Sequence, residues 1–425
     1  MKIKSHKLTL GLNIKEFSLL VFLICASGFS TFIQLISLFI FSLAFIFFSR
    51  KIRFVGRWVF YMLLLIVSII QLFFLWKADY GLNFILNTLL ISFMWFLALQ
   101  CSNIVVGSVF SFDNLKLERI LKIFFKLNLI LIILQIILMC VEMKTLFPFS
   151  NMSAGDNLKG FFRNSSVTMI IMSFYFIFYL YKKDWLNMIL AAILMVLTFY
   201  MSGLLMFVGV FSVFVFLAFS FKVKLKIIGG LIIGLFLFAK LSPENIVYVQ
   251  HILTKKVNSS TDPARKIVSF NQTFGNWVDS PVQFVFGSGG GKFSSRSAFI
   301  TGGDYVSWYP ESMVYRSSDF ENNHFALWNK QILLTPYKDG TSNQPFSFYN
   351  KIIGEYGLIG LILFLIYLYS PLKYYRRLSY GKLILVLMLG YFLLDYWFEY
   401  FSVIVFLELF LYLDIKNQIT VNNDG

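Results

Sequence analysis

The sequence predicts an all-α integral membrane protein of about twelve transmembrane helices, with one large extracytoplasmic loop that contains short helices. Hydrophobic residues make up 58% of the chain and charged residues only 14%, whereas soluble domains carry about 25% charged residues. Apolar runs long enough to cross about 30 Å of hydrocarbon recur along nearly the whole chain. Lys and Arg gather in alternate loops, which is the asymmetry typical of cytoplasmic loops.

The apolar runs give the order of the helices. The first run, Phe17–Phe48, would form a helix of about 50 Å, too long for a bilayer, so we expect two short helices broken at Ser27-Gly28. A charged amphipathic stretch, Asp113–Lys126, is expected on the inner membrane surface. The remaining predicted spans are Trp58–Trp76, Leu82–Ile104, Leu121–Val141, Val167–Tyr181, Trp185–Tyr200, Leu204–Phe221, Ile227–Ala239, Ile352–Tyr369, Leu383–Phe398 and Ser402–Leu413. They divide the chain into an N-terminal bundle of about nine helices (1–240), the large loop (241–350), and three C-terminal helices with a polar tail (351–425).

The charge distribution predicts the orientation and excludes one class of partner. The net charge is +16, but the large loop holds nine basic and eight acidic residues and is nearly neutral. The excess positive charge therefore lies in the short loops assigned to the cytoplasm, and both termini are predicted to be cytoplasmic. We expect no nucleic-acid partner. The cysteines, Cys25, Cys101 and Cys140, lie in apolar spans, and no His, Cys, Asp and Glu cluster has metal-ligand spacing, so no disulfide, metal site or cofactor is predicted.

The large loop is expected to carry function, because loops of this length without one are uncommon. Within it, Arg265–Val278 is amphipathic at helical spacing. Its apolar side is formed by Ile267, Phe270, Phe274, Trp277 and Val278. This helix is predicted either to lie along the membrane surface or to cap the helix bundle.

Two features of the outer loops could meet an anion. The run Phe286-Gly287-Ser288-Gly289-Gly290-Gly291-Lys292 could bring backbone amides to phosphate oxygens, or it could be a flexible turn, since its spacing matches no P-loop. Arg163, at the mouth of a span, could hold a pyrophosphate through its bidentate fork. Alternatively, it could snorkel to ordinary lipid headgroups.

One histidine in the loop is a candidate general base. If the segment around it is helical, Glu321, His324 and Trp328 share a face, and a histidine oriented by a carboxylate can take a proton from a hydroxyl group. The alternatives are a structural histidine, or a carboxylate such as Asp319 or Glu311 in its place. Near the last outer turn, Asp395 and Glu399 are either buried and functional or in contact with interfacial water.

Three segments together resemble the O-antigen polymerase and ligase family of bacterial membrane glycosyltransferases, which are of the GT-C type. Gly160–Val167 is similar to that family's Gly and Arg segment before a mid-chain helix. Arg265 through Trp277 to Gly290 is similar to its Arg, amphipathic helix and Phe-Gly-x-Gly pattern. The segment Asn350–Gly360, with Glu355-Tyr356-Gly357 and Gly360, resembles its signature of Glu, x, Gly, two apolar residues and Gly. The segments follow the family's order between about residues 160 and 370.

The resemblance implies a reaction at the periplasmic face of the bacterial inner membrane, in lipopolysaccharide biosynthesis. Donor and acceptor would be oligosaccharide repeat units linked to undecaprenyl pyrophosphate, within the membrane lipids, with no metal and no nucleotide sugar. Arg163 and Arg265 correspond to the arginines that the family's polymerases carry in their two main periplasmic loops. We assign Lys292 and Arg296, beside the glycine run, to the same pyrophosphate-binding group, and His324 with Glu321 to catalysis.

Polymerase, ligase and flippase remain as alternatives. Many ligase-like members have a His-Asn pair where this chain has Phe346-Ser347, and Ser-Arg where it has Met201-Ser202-Gly203, which favours a polymerase over a ligase acting on lipid A-core. A flippase or other transporter usually shows broken helices and charges near the midplane. The uninterrupted middle spans and the outer loop of about 110 residues therefore favour an enzyme. A chain-length regulator protein is a further candidate partner.

Overall fold

A computed structural model of the chain describes residues 12–28, 30–48, 55–75, 81–145, 148, 158–218, 263–329, 332 and 344–421, together with scattered positions between 221 and 250. Within these residues the chain is helical and contains no β-strand. The predicted all-α class is therefore confirmed for the described part. The predicted span Ile227–Ala239 falls largely outside the described residues.

The predicted break in the first apolar run is confirmed. Helices α1 (Ile14–Ser27) and α2 (Thr31–Phe48) are separated at Gly28, which has a φ of +79° and donates its N–H to the carbonyl of Ile24. A positive φ is costly for residues with a Cβ atom, so glycine is the natural residue at this break. A capping box between Asn13 and Glu16 begins α1, as expected when the side chains at the two ends of a first turn satisfy each other's N–H groups.

Six further helices of the N-terminal bundle lie within the described residues. They are α3 (Val55–Leu75), α4 (Gly81–Ser111), α5 (Asn114–Met143), α6 (Ser165–Lys182), α7 (Trp185–Leu197) and α8 (Met201–Ala218). The amphipathic stretch and the span that we predicted separately, Asp113–Lys126 and Leu121–Val141, are one continuous helix of 30 residues. The separation was wrong because no Gly or Pro interrupts the chain between them, so the charged turns simply extend the helix.

The large loop contributes α9 (Arg265–Asp279), α10 (Pro281–Phe286) and α11 (Arg296–Thr301), followed by a π-helical turn at Glu321–Phe325. The chain then forms α12 (Phe348–Leu372), α13 (Gly381–Tyr391) and α14 (Phe401–Val421). The predicted amphipathic helix is thus confirmed as α9.

The apolar helices indicate a membrane protein. Five described helices, α3, α4, α5, α6 and α12, are long and apolar enough to span a bilayer, and α2, α7, α8 and α13 are shorter apolar helices. Large apolar side chains point away from the protein on several of them; Phe73 and Phe74 near the end of α3 are 76% and 84% exposed. Lipid covers such surfaces at low cost, whereas water does not.

The centre of the bundle is formed by α4, α6 and α14, with α3 and α12 packed beside them. A buried ion pair lies among these helices, with Arg57 Nη1 3.8 Å from the Glu408 carboxylate. Tyr61 and Tyr367 both donate hydroxyl hydrogen bonds to the same carboxylate, at 3.1 and 3.2 Å. The pair is therefore compensated within the protein, as buried charges require.

One end of the bundle carries all the connecting segments discussed below. Residues 158–164, 263–329, 344–347 and 392–400 gather there, around the N-terminal ends of α6, α12 and α14. We call it the loop end of the bundle.

Candidate active site

The glycine run is held by a buried carboxylate of a membrane helix. Glu355 of α12 accepts hydrogen bonds from the backbone N–H groups of Gly291, Phe293, Ser294 and Ser295 at 2.7–3.2 Å, and it is fully buried. A concave array of backbone N–H groups is an anion-binding arrangement, and here the protein supplies the anion itself. The run is therefore neither a free phosphate cradle nor a flexible turn in this structure.

A break in α12 makes this contact possible. Gly357 has a φ of +58° inside the helix, a conformation that glycine adopts without the cost of a Cβ clash. Close to the break, the carbonyls of Gly354 and Glu355 accept hydrogen bonds from the N–H groups of Ser288 and Gly289 at 2.8 and 3.1 Å. The Glu-x-Gly part of the family-like signature is thus the point where the loop docks on α12.

A second buried carboxylate holds the next residues of the loop. Glu399, in the turn before α14, accepts the backbone N–H groups of Arg296 and Ser297 at 2.9 and 3.0 Å, and so lies at the first turn of α11. Lys351 of α12 forms an ion pair with Glu399 at 2.9 Å, and both side chains are buried. Two carboxylates from the C-terminal third of the chain therefore fix the segment 291–297.

Two arginines and three tyrosines meet at the loop end, and we call them the Arg–Tyr cluster: Arg163, Arg296, Tyr305, Tyr396 and Tyr400. The guanidinium carbons of Arg163 and Arg296 both lie 5.9 Å from the centre of the Tyr305 ring. Arg296 also lies 4.7 Å from the Tyr400 ring, on which Tyr396 stacks at 5.9 Å. The short loop before α6, the large loop and the last turn thus contribute to one site.

Several hydrogen-bond donors in and beside the cluster have no partner among the residues that the structure describes. They are buried, and they are Arg163 Nη1, Arg296 Nε, the Tyr396 hydroxyl and Trp328 Nε1. Trp328 belongs to the same group of rings, 5.5 Å from Tyr305. A buried donor without an acceptor costs about 1–3 kcal/mol, so four of them close together indicate a place for a ligand rich in acceptor oxygens or for ordered water.

Glu399 and Asp395 interact electrostatically with Arg296 of the cluster but form no ion pair with it. Among the described residues, no carboxylate lies within ion-pair distance of Arg163 or Arg296, and the Glu399 carboxylate is paired with Lys351. Arg296 is 1% exposed, and its Nη atoms donate to neutral acceptors, the Glu399 carbonyl and the Thr31 hydroxyl, both at 3.2 Å. Because the buried guanidinium of Arg296 has no carboxylate in direct contact, the cluster is suited to an anion that contacts the guanidiniums directly.

The other two predicted pyrophosphate ligands are engaged elsewhere. Arg265, at the start of α9, donates to the Leu327 carbonyl at 2.7 Å, and burial lowers the pKa of its guanidinium. Lys292 donates to the Thr88 hydroxyl at 2.6 Å, and burial lowers the pKa of its amine to about 7. Each ties the loop to a neighbouring element, and a direct role toward pyrophosphate stays a prediction for both.

The proposed catalytic pair is not assembled as the sequence suggested. His324 is fully buried; its Nδ1 lies 2.9 Å from the Ser294 hydroxyl, and its Nε2 lies 3.1 Å from the Ser269 carbonyl and 3.2 Å from the Thr273 hydroxyl. Glu321 instead points to Arg316, at 3.9 Å. Glu321 does not orient His324 here, and a catalytic role would require the ring to reach a substrate. That role stays a prediction.

Protonation of the His324 ring is expected to oppose folding. Burial lowers the pKa of His324 to about 3, against about 6.5 in an unfolded chain. The unfolded chain therefore binds the proton first, and stability is lost as the pH falls below 6.5. The loss of folding free energy reaches about 2 kcal/mol at pH 5 for this group alone.

Melting temperatures in detergent at pH 7.5 and 5 should show a smaller acid-induced decrease for His324→Gln than for the unmodified protein. Equal losses would show that the ring is protonated in place, which would favour the general-base role.

Some residues of the site carried little signal in the sequence. Tyr305 and Tyr400 were not singled out, because isolated tyrosines are common near membrane surfaces. Lys266 follows Arg265 on α9 and donates to the Leu394 carbonyl at 2.9 Å. The next residue after Leu394 is Asp395, and burial raises the pKa of its carboxyl group. Asp395 had been noted as an acid near the membrane; Lys266 could have been found on the polar side of the amphipathic pattern.

The chain matches no family model, and comparisons with curated proteins and with solved structures gave no significant match. Function is therefore inferred from the chemistry of the Arg–Tyr cluster and from the resemblance of the three sequence segments. The cluster contains residues that the resemblance also points to, because Arg163 belongs to the first of those segments and Arg296 follows the second.

Proposed function

We propose that this protein is an O-antigen polymerase, or a polymerase of a related surface polysaccharide, that joins repeat units linked to undecaprenyl pyrophosphate. The observation that carries the proposal is the pair of guanidiniums that form no ion pair among the described residues, with unpartnered donors around Tyr305. A pyrophosphate offers several anionic oxygens in one place, and arginine binds such groups with a planar, permanently charged fork. Tyrosine and tryptophan donors beside them are suited to sugar hydroxyls.

In the proposed reaction, a hydroxyl oxygen of the acceptor unit attacks the anomeric carbon of the donor glycan. The bond between that carbon and the pyrophosphate oxygen breaks, and the undecaprenyl pyrophosphate leaves with the electron pair. Arg163 and Arg296 stabilise the charge that develops on the leaving group. No ATP or nucleotide sugar is needed, because the pyrophosphate is the leaving group.

The hydroxyl proton must pass to a base. His324 is the base predicted from the sequence, but both of its ring nitrogens are engaged within the protein, which argues for a second candidate. Asp395 precedes Tyr396 in the chain and interacts electrostatically with Arg296 and Lys266. We propose Asp395 as the carboxylate that takes the proton if His324 stays buried during the reaction.

We further propose that the chain crosses the bacterial inner membrane about twelve times, with both termini in the cytoplasm and the loop end at the periplasmic face. The support is the positive charge of the short loops at the opposite end. Alkaline phosphatase fused near residue 300 should then be active, and a fusion near residue 375 should be inactive. The reverse pattern would contradict the orientation.

The activity is tested with purified protein in proteoliposomes that contain lipid-linked repeat units. A ladder of longer glycans, with release of undecaprenyl pyrophosphate, is expected. Transfer to added lipid A-core without a ladder would instead show a ligase. Movement of the lipid-linked unit across the bilayer with no new glycosidic bond would show a flippase. A chain-length regulator is a candidate partner, and its addition should change the ladder's length distribution.

A further inference from the structure

Helix α9 presents its polar side to the protein and its apolar side outward. Ser269 and Thr273, on the polar side, are fully buried. The Ser269 hydroxyl accepts a hydrogen bond from Asn350 at 3.1 Å. The Ser269 carbonyl and the Thr273 hydroxyl both contact the His324 ring. Soluble proteins normally bury the apolar side of such a helix. The reversed orientation means that the described residues of this protein leave the apolar side uncovered.

The outward apolar surface continues from α9 onto α10. Six side chains form it, each between 38% and 67% exposed: Ile267, Phe274, Val278, Val282, Phe284 and Phe286. The two helices are held as one hairpin, because the Trp277 ring stacks on Phe284 at 5.0 Å and its indole N–H donates to the Phe284 carbonyl at 2.8 Å. An apolar surface formed by six exposed side chains on two ordered helices marks an interaction site.

The depth of the hairpin identifies what covers it. Gln71 Nε2 donates to the Phe286 carbonyl at 2.7 Å, and Gln71 lies about one turn before the end of α3. Gly357, whose Cβ position would be 2.7 Å from the Phe284 carbonyl, lies about 13 Å along α12 from its first residue. The hairpin is therefore level with turns of two membrane-spanning helices. Phe73 and Phe74, the strongly exposed residues of α3, lie within one turn of Gln71.

We propose that the α9–α10 hairpin is embedded in the lipid leaflet at the loop end of the bundle, with its apolar side among the acyl chains. The occupant of the surface is the bilayer because the hairpin contacts α3 and α12, and its contact with α3 is within one turn of the exposed Phe73 and Phe74. The buried Ser269, Thr273 and His324 hydrogen bonds hold the helix with its polar side away from lipid, where polar groups are costly.

This placement has a consequence that rests on the proposed function. Lys266 in the first turn of α9 donates to the carbonyls of Phe346 and Leu394. The Phe346 ring packs against Tyr396 of the Arg–Tyr cluster, with the ring centres 4.6 Å apart. The embedded hairpin thus borders the cluster, so a lipid-linked pyrophosphate could reach the arginines while its prenyl tail stays in the bilayer.

The proposal is tested by spin labels in proteoliposomes, with no activity measured. Single cysteines at Phe274 and Val278 are labelled in a protein whose Cys25, Cys101 and Cys140 are replaced by alanine. Both labels should be more accessible to oxygen than to a water-soluble nickel chelate, as a label at Phe74 should be. A label at Glu311, an exposed residue of the same loop, should show the opposite ratio.

Two results would overturn the proposal, provided the labelled proteins keep the elution volume and melting temperature of the unlabelled one. Nickel accessibility at Phe274 and Val278 equal to that at Glu311 would place the hairpin in water. Low accessibility to both reagents would place it against a protein.

A second measurement needs no label. Brominated lipids should quench less fluorescence in Trp277→Phe than in the unmodified protein, and an unchanged quenched fraction would also contradict the embedding. Since neither measurement depends on glycan transfer, embedding can fail while the polymerase proposal stands, and the reverse.

Discussion

Replacing Arg163 by alanine is expected to slow glycan transfer by about 30- to 1000-fold while the protein stays folded. The expected cost is roughly 2–4 kcal/mol, the amount lost when one donor to a developing anionic charge is removed. Arg163→Lys should be almost as slow, because lysine lacks the planar fork that binds two phosphate oxygens. Initial rates of ladder formation with purified lipid-linked repeat units measure both effects.

Arg163 is a clean test because the contact that places it in the cluster is the face of Tyr305, so its removal breaks few bonds that hold the fold. Arg296 should show an equal or larger loss of rate, but it also binds Thr31 and the Glu399 carbonyl, so its melting temperature must be followed. Arg119→Ala, an exposed arginine at the opposite end of the bundle, is the matched control and should leave the rate unchanged. Full-length ladders at normal rates from Arg163→Ala would refute the pyrophosphate assignment.

Replacing Glu355 by glutamine is expected to destabilise the loop end by roughly 3–5 kcal/mol, as when one partner of a buried charged network is removed. One carboxylate oxygen accepts the N–H groups of Phe293, Ser294 and Ser295, and the other accepts that of Gly291. An amide NH₂ in the second position would face the Gly291 N–H, donor against donor. The melting temperature in detergent should fall, and the glycine run should become sensitive to limited proteolysis.

Glu321→Gln is the control for this substitution. It makes the same chemical change on a side chain that is 56% exposed and lies 3.9 Å from Arg316; such surface pairs typically contribute about 0–1 kcal/mol. Its melting temperature should stay close to that of the unmodified protein. If Glu355→Gln were as stable as Glu321→Gln, the carboxylate would not be what orders the segment 291–297.

Local patterns predicted the elements that depend on neighbours in the chain. The break at Gly28 follows from the length of the first apolar run, and α9 follows from its helical spacing. The boundary drawn inside α5 failed because a change from charged to apolar residues was taken as the end of a helix. No Gly or Pro interrupts the backbone there, so the helix continues from the charged turns into the apolar ones.

Part of the candidate site was predicted from the sequence, and the part that was missed depends on contacts between distant residues. Arg163 and Arg296 were named from the sequence, and the structure brings them to the same tyrosine ring. The partners of the glycine run and of His324 could not be found in this way. Glu355 lies more than sixty residues from Gly291, and Ser269 lies 55 residues from His324. Local periodicity carries no information about which distant group will satisfy a buried donor.

The two carboxylates that order the segment 291–297 have a consequence for biosynthesis. Glu355 and Glu399 are translated after the loop they hold, and Glu399 lies in the turn before the final helix. The loop can therefore take its final conformation only once α12 has been inserted and the chain has been completed through that turn. A nascent chain would expose the glycine-rich segment without its internal anions, and the arginines would not yet be gathered around Tyr305. The site would be assembled last, so binding of lipid-linked glycans would begin only with the finished protein.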